Sequence, residues 1–323
     1  MKRFLIKRLL GIIPTFFGIT LISFFVIHLA PGSPMESMDA LNPKASLEAK
    51  QTLAKIYGLD KPLYEQYADW LTRFLKFDFG KSFVDGTNAI DKVGRCLPVT
   101  LCINFLTIIF IFLVSIPLGV RSAVYRGGNF DRLTTIIVFI FFAIPGFWLA
   151  LLLIELFGVR LELLPVSGLM SIDFEYFTVF QKIVDISKHL FLPVIVGGLG
   201  AIAGLSRYIK QKMVEQLNED YVRTAIAKGL PENQVIYKHA LSNAMIPIIT
   251  IIGLSIPALI SGSVIIETIF NIPGMGRLMV NSVFARDYNV IMCGLVISAI
   301  LTLLGNLIAD ILYAYADPRI RYD

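Results

Sequence analysis

Hydrophobic and polar positions along the chain are segregated into long blocks. Six blocks contain no Asp, Glu, Lys or Arg: 9–30, 97–120, 133–154, 190–206, 244–266 and 288–309. The fourth block has 17 residues, and the other five have 22 to 24. About 20 apolar residues let a helix cross the hydrocarbon core of a bilayer. The blocks lack the alternation of barrel strands. The pattern therefore predicts an all-α membrane protein with six transmembrane helices.

Composition agrees with this pattern. The chain is 56% hydrophobic with a mean hydropathy of +0.72, and only 16% of its residues are charged, whereas a soluble domain has roughly 25%.

The first block follows Lys2 and Arg3, as the apolar part of a signal peptide would. It is too long for one and lacks a small-residue cleavage site, so we interpret it as a retained anchor.

The blocks also predict the domain organisation and the orientation in the membrane. Residues 1–30 form the N-terminal end with the first span, 31–96 an external loop region, and 97–316 a transmembrane domain with a cytoplasmic loop at 207–243. The short segments assigned to the cytoplasm carry fifteen Lys and Arg, and the opposite short loops carry five. This bias predicts that both termini are cytoplasmic. It also accounts for the net charge of +5, so no nucleic-acid partner is indicated.

The external region contains two predicted helices. "SLEAKQTLAKIYGL" has a capping residue in Ser46 and an end signal in Gly58. "LYEQYADWLTRF" has an apolar helical face, made of Leu63, Tyr67, Trp70, Leu71 and Phe74. That face either lies in the membrane interface or packs on the protein's own outer surface.

Glycines and prolines within the blocks predict close helix contacts, hinges and kinks in the spans. Gly200 and Gly204 form a small-xxx-small pair, which favours close packing of helices or a hinge. Each proline removes a backbone donor and can kink its helix; those in the blocks are Pro14, Pro117, Pro145, Pro193, Pro247 and Pro257.

Chemical motifs are missing from the sequence. "FGKSF" at 79–83 resembles a phosphate-binding loop, but the first glycine of that motif would fall at Leu75. The three histidines have no partner at metal-ligand spacing, and they are interpreted as interfacial or hydrogen-bonded side chains. Glu155 and Glu267 are assigned to the membrane edges as solvated carboxylates. We therefore predict no catalytic, cofactor-binding or metal site.

One charged segment interrupts the apolar blocks. "EDYVRTAIAKGLPENQVIYKHALSNAM" spans residues 219–245. Gly229 suits a helix end with positive φ, and Pro231 suits the first turn of a following helix. The pattern predicts two short helices joined by a Gly-Pro turn, with small alanines facing outward. A solvated connection would explain the charge of the segment but not its helix–turn–helix arrangement.

This segment resembles the EAA loop of ABC importer permeases, which reads roughly E-A-A-x-x-x-G. Ala225 and Gly229 match that motif, while Arg223 and Thr224 replace its Glu and first Ala. The stretches "YVRTAIAKGL" and "HALSNAM" are closer to the dipeptide and oligopeptide branch. The similarity runs nearly end to end, through "FDFGKSF", "SIPLGVRSAVYRGGNFD", "LLPVSG", "ETIFNIPGMGRLMVNSVFARDY" and "DPRIR". Asn289 departs from it, because many relatives have Pro there, and some stretches lean towards the Yej-type peptide and microcin branch.

The resemblance implies a type I ABC importer permease fold in a bacterial or archaeal cytoplasmic (inner) membrane. It implies that the chain forms half of a pathway for di- or oligopeptides, is not an enzyme and uses no cofactor. Its partners would be a homologous second permease, separate cytoplasmic ABC ATPase subunits, an extracytoplasmic substrate-binding protein and membrane lipid. The segment would be the coupling helix that docks on the ATPase, through Tyr221, Arg223, Thr224, Ala225, Ala227, Lys228 and Gly229.

Three alternatives remain at this stage. A permease for nickel or a metallophore belongs to the same family. A secondary transporter would normally show repeats and intramembrane charges, and a membrane-embedded enzyme would need a nucleophile or a metal cluster. The sequence shows neither set of features.

Overall fold

The computed structural model describes residues 2–31, 58, 60–260 and 262–316. The helix predicted from Ser46 lies outside these residues. The described helices, in chain order, are α1 (Lys2–Leu29), α2 (Leu63–Leu75), α3 (Ala89–Val124), α4 (Asn129–Ala143), α5 (Gly146–Leu153), α6 (Val179–Leu217), α7 (Asp220–Ala227), α8 (Leu241–Ala244), α9 (Ile246–Ser255), α10 (Val264–Ile269), α11 (Met275–Phe284) and α12 (Tyr288–Ala316). Two π-helical turns, Ile154–Arg160 after α5 and Gln234–Ala240 before α8, and two 3₁₀ turns, Phe174–Tyr176 and Pro257–Ile260, complete the described elements.

Four of the described helices are long and apolar enough to cross a membrane as continuous rods: α1, α3, α6 and α12. Two bent pairs raise the number to six if each pair is one span. The first pair joins Asn129–Ala143 to Gly146–Arg160 with a bend of 101°, and the second joins Gln234–Ala244 to Ile246–Ile260 with a bend of 48°. The predicted all-α fold with six apolar segments is therefore confirmed, with two segments broken.

The breaks coincide with some of the prolines and not with others. Pro145 follows Ile144, whose extended backbone (φ −77°, ψ 126°) ends α4, as expected for a residue before proline. Pro247 lies in the first turn of α9, where its missing N–H is not needed. Pro14, Pro117 and Pro193 remain inside continuous helices, so the predicted kink is a break only at some sites.

The centre of the molecule is the contact between α3 and α6, which lie side by side over much of their length. A Cβ added to Gly198 of α6 would lie 2.7 Å from a ring carbon of Phe110 of α3. The missing side chain is what allows the two backbones to approach.

The predicted close packing of Gly200 and Gly204 is wrong for the described chain. Both glycines are exposed, and a Cβ at either position would meet no described atom within 4 Å. The glycine that α3 requires is Gly198, on another face of the same helix.

The apolar face of α2 packs on the protein itself. Trp70 is buried, and its ring lies 6.5 Å from that of Phe24 in α1. The Tyr67 hydroxyl is 3.1 Å from the Thr20 hydroxyl. Of the two interpretations of this face, contact with the protein's own outer surface is therefore confirmed.

The "FGKSF" segment is a structural turn attached to the beginning of α12. The hydroxyl of Ser82 donates to the buried carboxylate of Asp287, and the Phe83 amide donates to the same carboxylate at 3.1 Å. The Asn289 side chain donates to the Lys81 carbonyl at 2.7 Å. Proline at position 289 has no side-chain amide to make this bond, which gives the departure from the relatives a physical role.

The α3–α6 contact leads to a prediction about two glycines of one helix. Gly198→Val should destabilise the detergent-solubilised isolated chain by about 1–3 kcal/mol, because the added methyl groups overpack a filled contact. Gly204→Val makes the same change in helix propensity on the open face and should leave thermal unfolding close to that of the unmodified chain. Equal shifts in both variants would contradict the packing described here.

Candidate functional site: the charged helix pair at 219–245

The charged segment that interrupts the spans is an ordered pair of helices. The first part of the predicted 207–243 loop continues α6 as far as Leu217. Helix α7 follows, and a second helical stretch begins after Pro231 and contains the π-helical turn Gln234–Ala240. The predicted helix–turn–helix is confirmed, and it occupies only part of the predicted 207–243 loop.

A hydrogen-bonded cap ends α7. Gly229 has φ +74°, a conformation that a residue with a Cβ adopts only with strain. Its amide donates to the carbonyl of Ile226 at 2.9 Å, and the Leu230 amide donates to that of Ala225 at 3.3 Å. This pair of bonds is a Schellman motif, so the predicted positive φ at Gly229 is confirmed with its physical reason.

One face of α7 belongs to the interior of the protein. Val222 and Ala225 are 1% and 6% exposed, and they join a cluster that includes Val120 of α3 and Met213 of α6. The expectation that both alanines face outward is therefore wrong for Ala225 and correct for Ala227, which is exposed. The cluster needs a small side chain at 225 because α7 packs there among residues of α3, α6 and the helical stretch after Pro231.

The opposite face of α7 is open. It carries the remaining predicted site residues: Tyr221, Arg223, Thr224, Ala227, Lys228 and Gly229. Three of them make local contacts. The Tyr221 hydroxyl donates to the Gln216 side chain of α6 at 2.7 Å, and the Thr224 hydroxyl donates to the Asp220 carbonyl at 2.8 Å. Arg223 lies 3.5 Å from Asp220 in an ion pair whose side chains are 71% and 96% exposed. Such an exposed pair contributes little to stability.

Sequence reasoning missed an apolar residue on this open face. Ile226 is 61% exposed, between the polar residues that the motif singled out. It borders a cavity of about 380 Å³, which α7 and the second helical stretch line with Val222, Leu230, Val235 and Ile236. The signal was present in the sequence, because an isoleucine next to the Ala227-Lys228-Gly229 end of an otherwise polar face is out of place on a solvated helix.

A second site contradicts the prediction made for Glu267. This residue of α10 is 2% exposed, so it is not a solvated carboxylate. The Thr100 hydroxyl of α3 donates to its Oε1 at 3.0 Å, and the Arg277 amide donates to its Oε2 at 2.8 Å. The Thr100 hydroxyl also accepts from the Met275 amide at 2.8 Å. Together, Thr100 and Glu267 satisfy amides in the first turn of α11, which otherwise lack partners.

The backbone around Glu267 is shaped for its carboxylate. A Cβ added to Gly274 would lie within 2.3 Å to 2.5 Å of the carboxyl atoms, so only glycine fits there. Burial raises the pKa of Glu267, and the hydrogen bonds from Arg277 and Thr100 oppose that rise. We call Thr100, Glu267 and the first turn of α11 the outer clasp. The two closely spaced glycines of "PGMG" were the signal for it in the sequence.

Two of the three histidines make ordinary side-chain contacts within their own helices. The Nδ1 atom of His28 is 2.8 Å from the carbonyl oxygen of Phe24, and the Nδ1 atom of His189 is 2.9 Å from that of Asp185. Both contacts confirm the interpretation of these side chains as hydrogen-bonded.

The long apolar helices define an integral membrane protein, and the family match identifies it as a transport permease. Residues 115–322 match the family described as binding-protein-dependent transport system inner membrane component, and residues 1–104 match the N-terminal model of the same system. The chain belongs to this family, and its fold is that of a type I ABC importer permease.

Named relatives cover the whole chain. The oligopeptide transport system permease protein AppB of Bacillus subtilis is 45% identical over 323 residues, which are 100% of both chains. The di/tripeptide transport system permease protein DppB of Pseudomonas aeruginosa is 38% identical, over 100% of this chain and 99% of its own. The glutathione transport system permease protein GsiC of Escherichia coli K12 is 35% identical over 100% of both. These relatives are transport permeases and not enzymes.

The two alanines of α7 provide a matched test of the site's geometry. Ala225→Leu should lower the stability of the isolated chain by about 1–3 kcal/mol, because it overpacks the cluster beneath α7. Ala227→Leu adds the same side chain on the open face and should change stability by less than about 0.5 kcal/mol. Thermal unfolding in detergent measures both. A larger loss in Ala227→Leu would reverse the assignment of the two faces.

Proposed function

We propose that this chain is the permease subunit of an ATP-driven importer and forms half of the pathway for di- or oligopeptides across the cytoplasmic membrane. The observation that carries the proposal is the construction of α7: one face packs in the apolar cluster that joins α3, α6 and the helical stretch after Pro231, and the other face is exposed. The cap at Gly229 ends the helix. A helix attached in this way transfers a displacement to the spans. The names of the relatives support peptides as the substrate class, and they give less support to nickel or a metallophore.

The partners follow from this role. A separate cytoplasmic ATPase subunit binds the open face of α7, a homologous permease completes the pathway, and an extracytoplasmic binding protein delivers the peptide. Ile226 and Ala227 provide an apolar centre for the ATPase contact, and Arg223 and Lys228 provide a charged rim. Rim charges affect the rate and specificity of association more than its strength. Ala225 contributes by holding α7 in place and does not touch the ATPase.

The docking role predicts graded effects on the assembled transporter. The chain should be coexpressed with its ATPase and second-permease subunits. Ala227→Trp and Gly229→Val should reduce ATPase pull-down and peptide uptake, the first by a clash and the second by backbone strain of about 1–2 kcal/mol. Arg223→Ala should have a smaller effect.

Ile172→Trp is the control for pull-down, because Ile172 is fully exposed at 100% in the loop before α6. Stability of each isolated variant should be measured first. Normal pull-down and uptake in both Ala227→Trp and Gly229→Val would show that α7 is only a solvated connection.

The orientation proposed from the basic residues places both termini and α7 in the cytoplasm. In a background where Cys96, Cys102 and Cys293 are replaced by Ser, an impermeant thiol reagent should label Ile172→Cys in intact cells. It should label Asn233→Cys only after permeabilisation. Labelling of both sites from the same side would contradict the proposed topology.

A further inference from the structure

The outer clasp and the coupling segment lie at opposite ends of one helix. Helix α3 is continuous from Ala89 to Val124. Its residue Thr100 holds the outer clasp, and its residue Val120 packs in the cluster that receives α7. With a rise of 1.5 Å per residue, these two positions are about 30 Å apart along the helix axis.

Contact with α6 stiffens α3 between these two points. Gly198 of α6 approaches Phe110 of α3, and Gly119 of α3 approaches Ile209 of α6. Both close contacts lie in the second half of α3, between Thr100 and Val120. Since α3 also remains one continuous helix through Pro117, we expect a displacement applied at Val120 to move the helix as a unit.

The outer clasp connects α3 to a distinct part of the chain. Helices α10 and α11 lie in the segment 262–287, between the last two membrane segments. The Thr100 hydroxyl is used in both directions: it donates to Glu267 of α10 and accepts from Met275 of α11. One side chain of α3 thus holds two elements of this outer segment, and Thr100 is itself 1% exposed.

We propose that α3 transmits the movement of α7 to the outer segment, and that Thr100 and Glu267 are the positioning residues through which the outer segment follows. This inference rests on the proposed function, because the displacement at α7 comes from the ATPase. Neither residue needs to touch the peptide. Their role is to couple the movement of the outer segment to ATP hydrolysis.

The test uses the assembled transporter in proteoliposomes, with its ATPase, second permease and binding protein. Thr100→Val keeps the shape of the side chain and removes both hydrogen bonds. We expect it to retain assembly and ATP hydrolysis while peptide uptake per ATP falls about five-fold or more, the lower end of typical couplings between sites. Glu267→Gln should lower the same ratio, since its amide group faces backbone donors.

Two variants control for effects on folding. Thr100→Ser retains the hydroxyl and should retain coupling. Ser115→Ala removes another buried hydroxyl of α3, one with no hydrogen-bond partner among the described residues, and should also behave like the unmodified chain. Unchanged uptake per ATP in Thr100→Val would overturn the proposal. So would loss of assembly in that variant, or an equal fall of uptake and hydrolysis, since both indicate a purely structural role.

A second measurement separates this proposal from the choice of substrate. Phe284 of α11 is 82% exposed, so a Phe284→Cys reporter in a background without other cysteines monitors the outer segment directly. Its labelling rate should change between the nucleotide-free and ATP-bound transporter, and Thr100→Val should abolish the change. This result would support the coupling role even if peptides prove not to be the substrate. A rate that responds equally in both variants would contradict it.

Discussion

The close approach of α3 and α6 is the contact on which the rest of the molecule depends. In the hydrocarbon core, apolar side chains gain little by leaving lipid, so helices associate through packing of their surfaces. Gly198 lets α6 approach Phe110 closely, and the two helices then extend together beyond the apolar blocks. Near their ends, Val120 and Met213 belong to the apolar cluster in which one face of α7 packs. The same pair carries Thr100 towards the outer segment, so one packing contact positions both candidate sites.

Polar contacts in this protein are concentrated where elements outside the spans join the helices. Asp287 holds the "FGKSF" turn through Ser82 and Phe83, and Glu267 holds the beginning of α11. In each case a buried carboxylate accepts from backbone amides as well as from a hydroxyl. Such groups are costly to bury unless fully hydrogen-bonded, and this requirement fixes the geometry of the attached segment. In this part of the molecule the buried acids therefore fix the attached segments together with the apolar cluster around Phe24, Trp70 and Met275.

The features that the sequence predicted are local ones. The apolar blocks predict spans because hydrophobicity needs no knowledge of neighbours, and Gly229 before Pro231 predicts a turn because its backbone preference is intrinsic. Long-range contacts explain the errors. Gly200 and Gly204 fit a packing motif as well as Gly198 does, but only the position of Phe110 decides which glycine is used. Likewise, Ala225 and Ala227 look equivalent until α3 and α6 lie beneath one of them, and Glu267 looks exposed until Thr100 reaches it.

Helix α7 has only eight residues, too few to persist alone in water, where isolated helices shorter than roughly 12–15 residues are marginal. Its helical conformation is stabilised by packing in the apolar cluster and by the cap at Gly229. The open face of α7 therefore exists as a surface only on a permease that has already folded into the bilayer. A protein that recognises this face therefore binds only a folded permease. Nascent or misfolded copies lack the surface that it recognises.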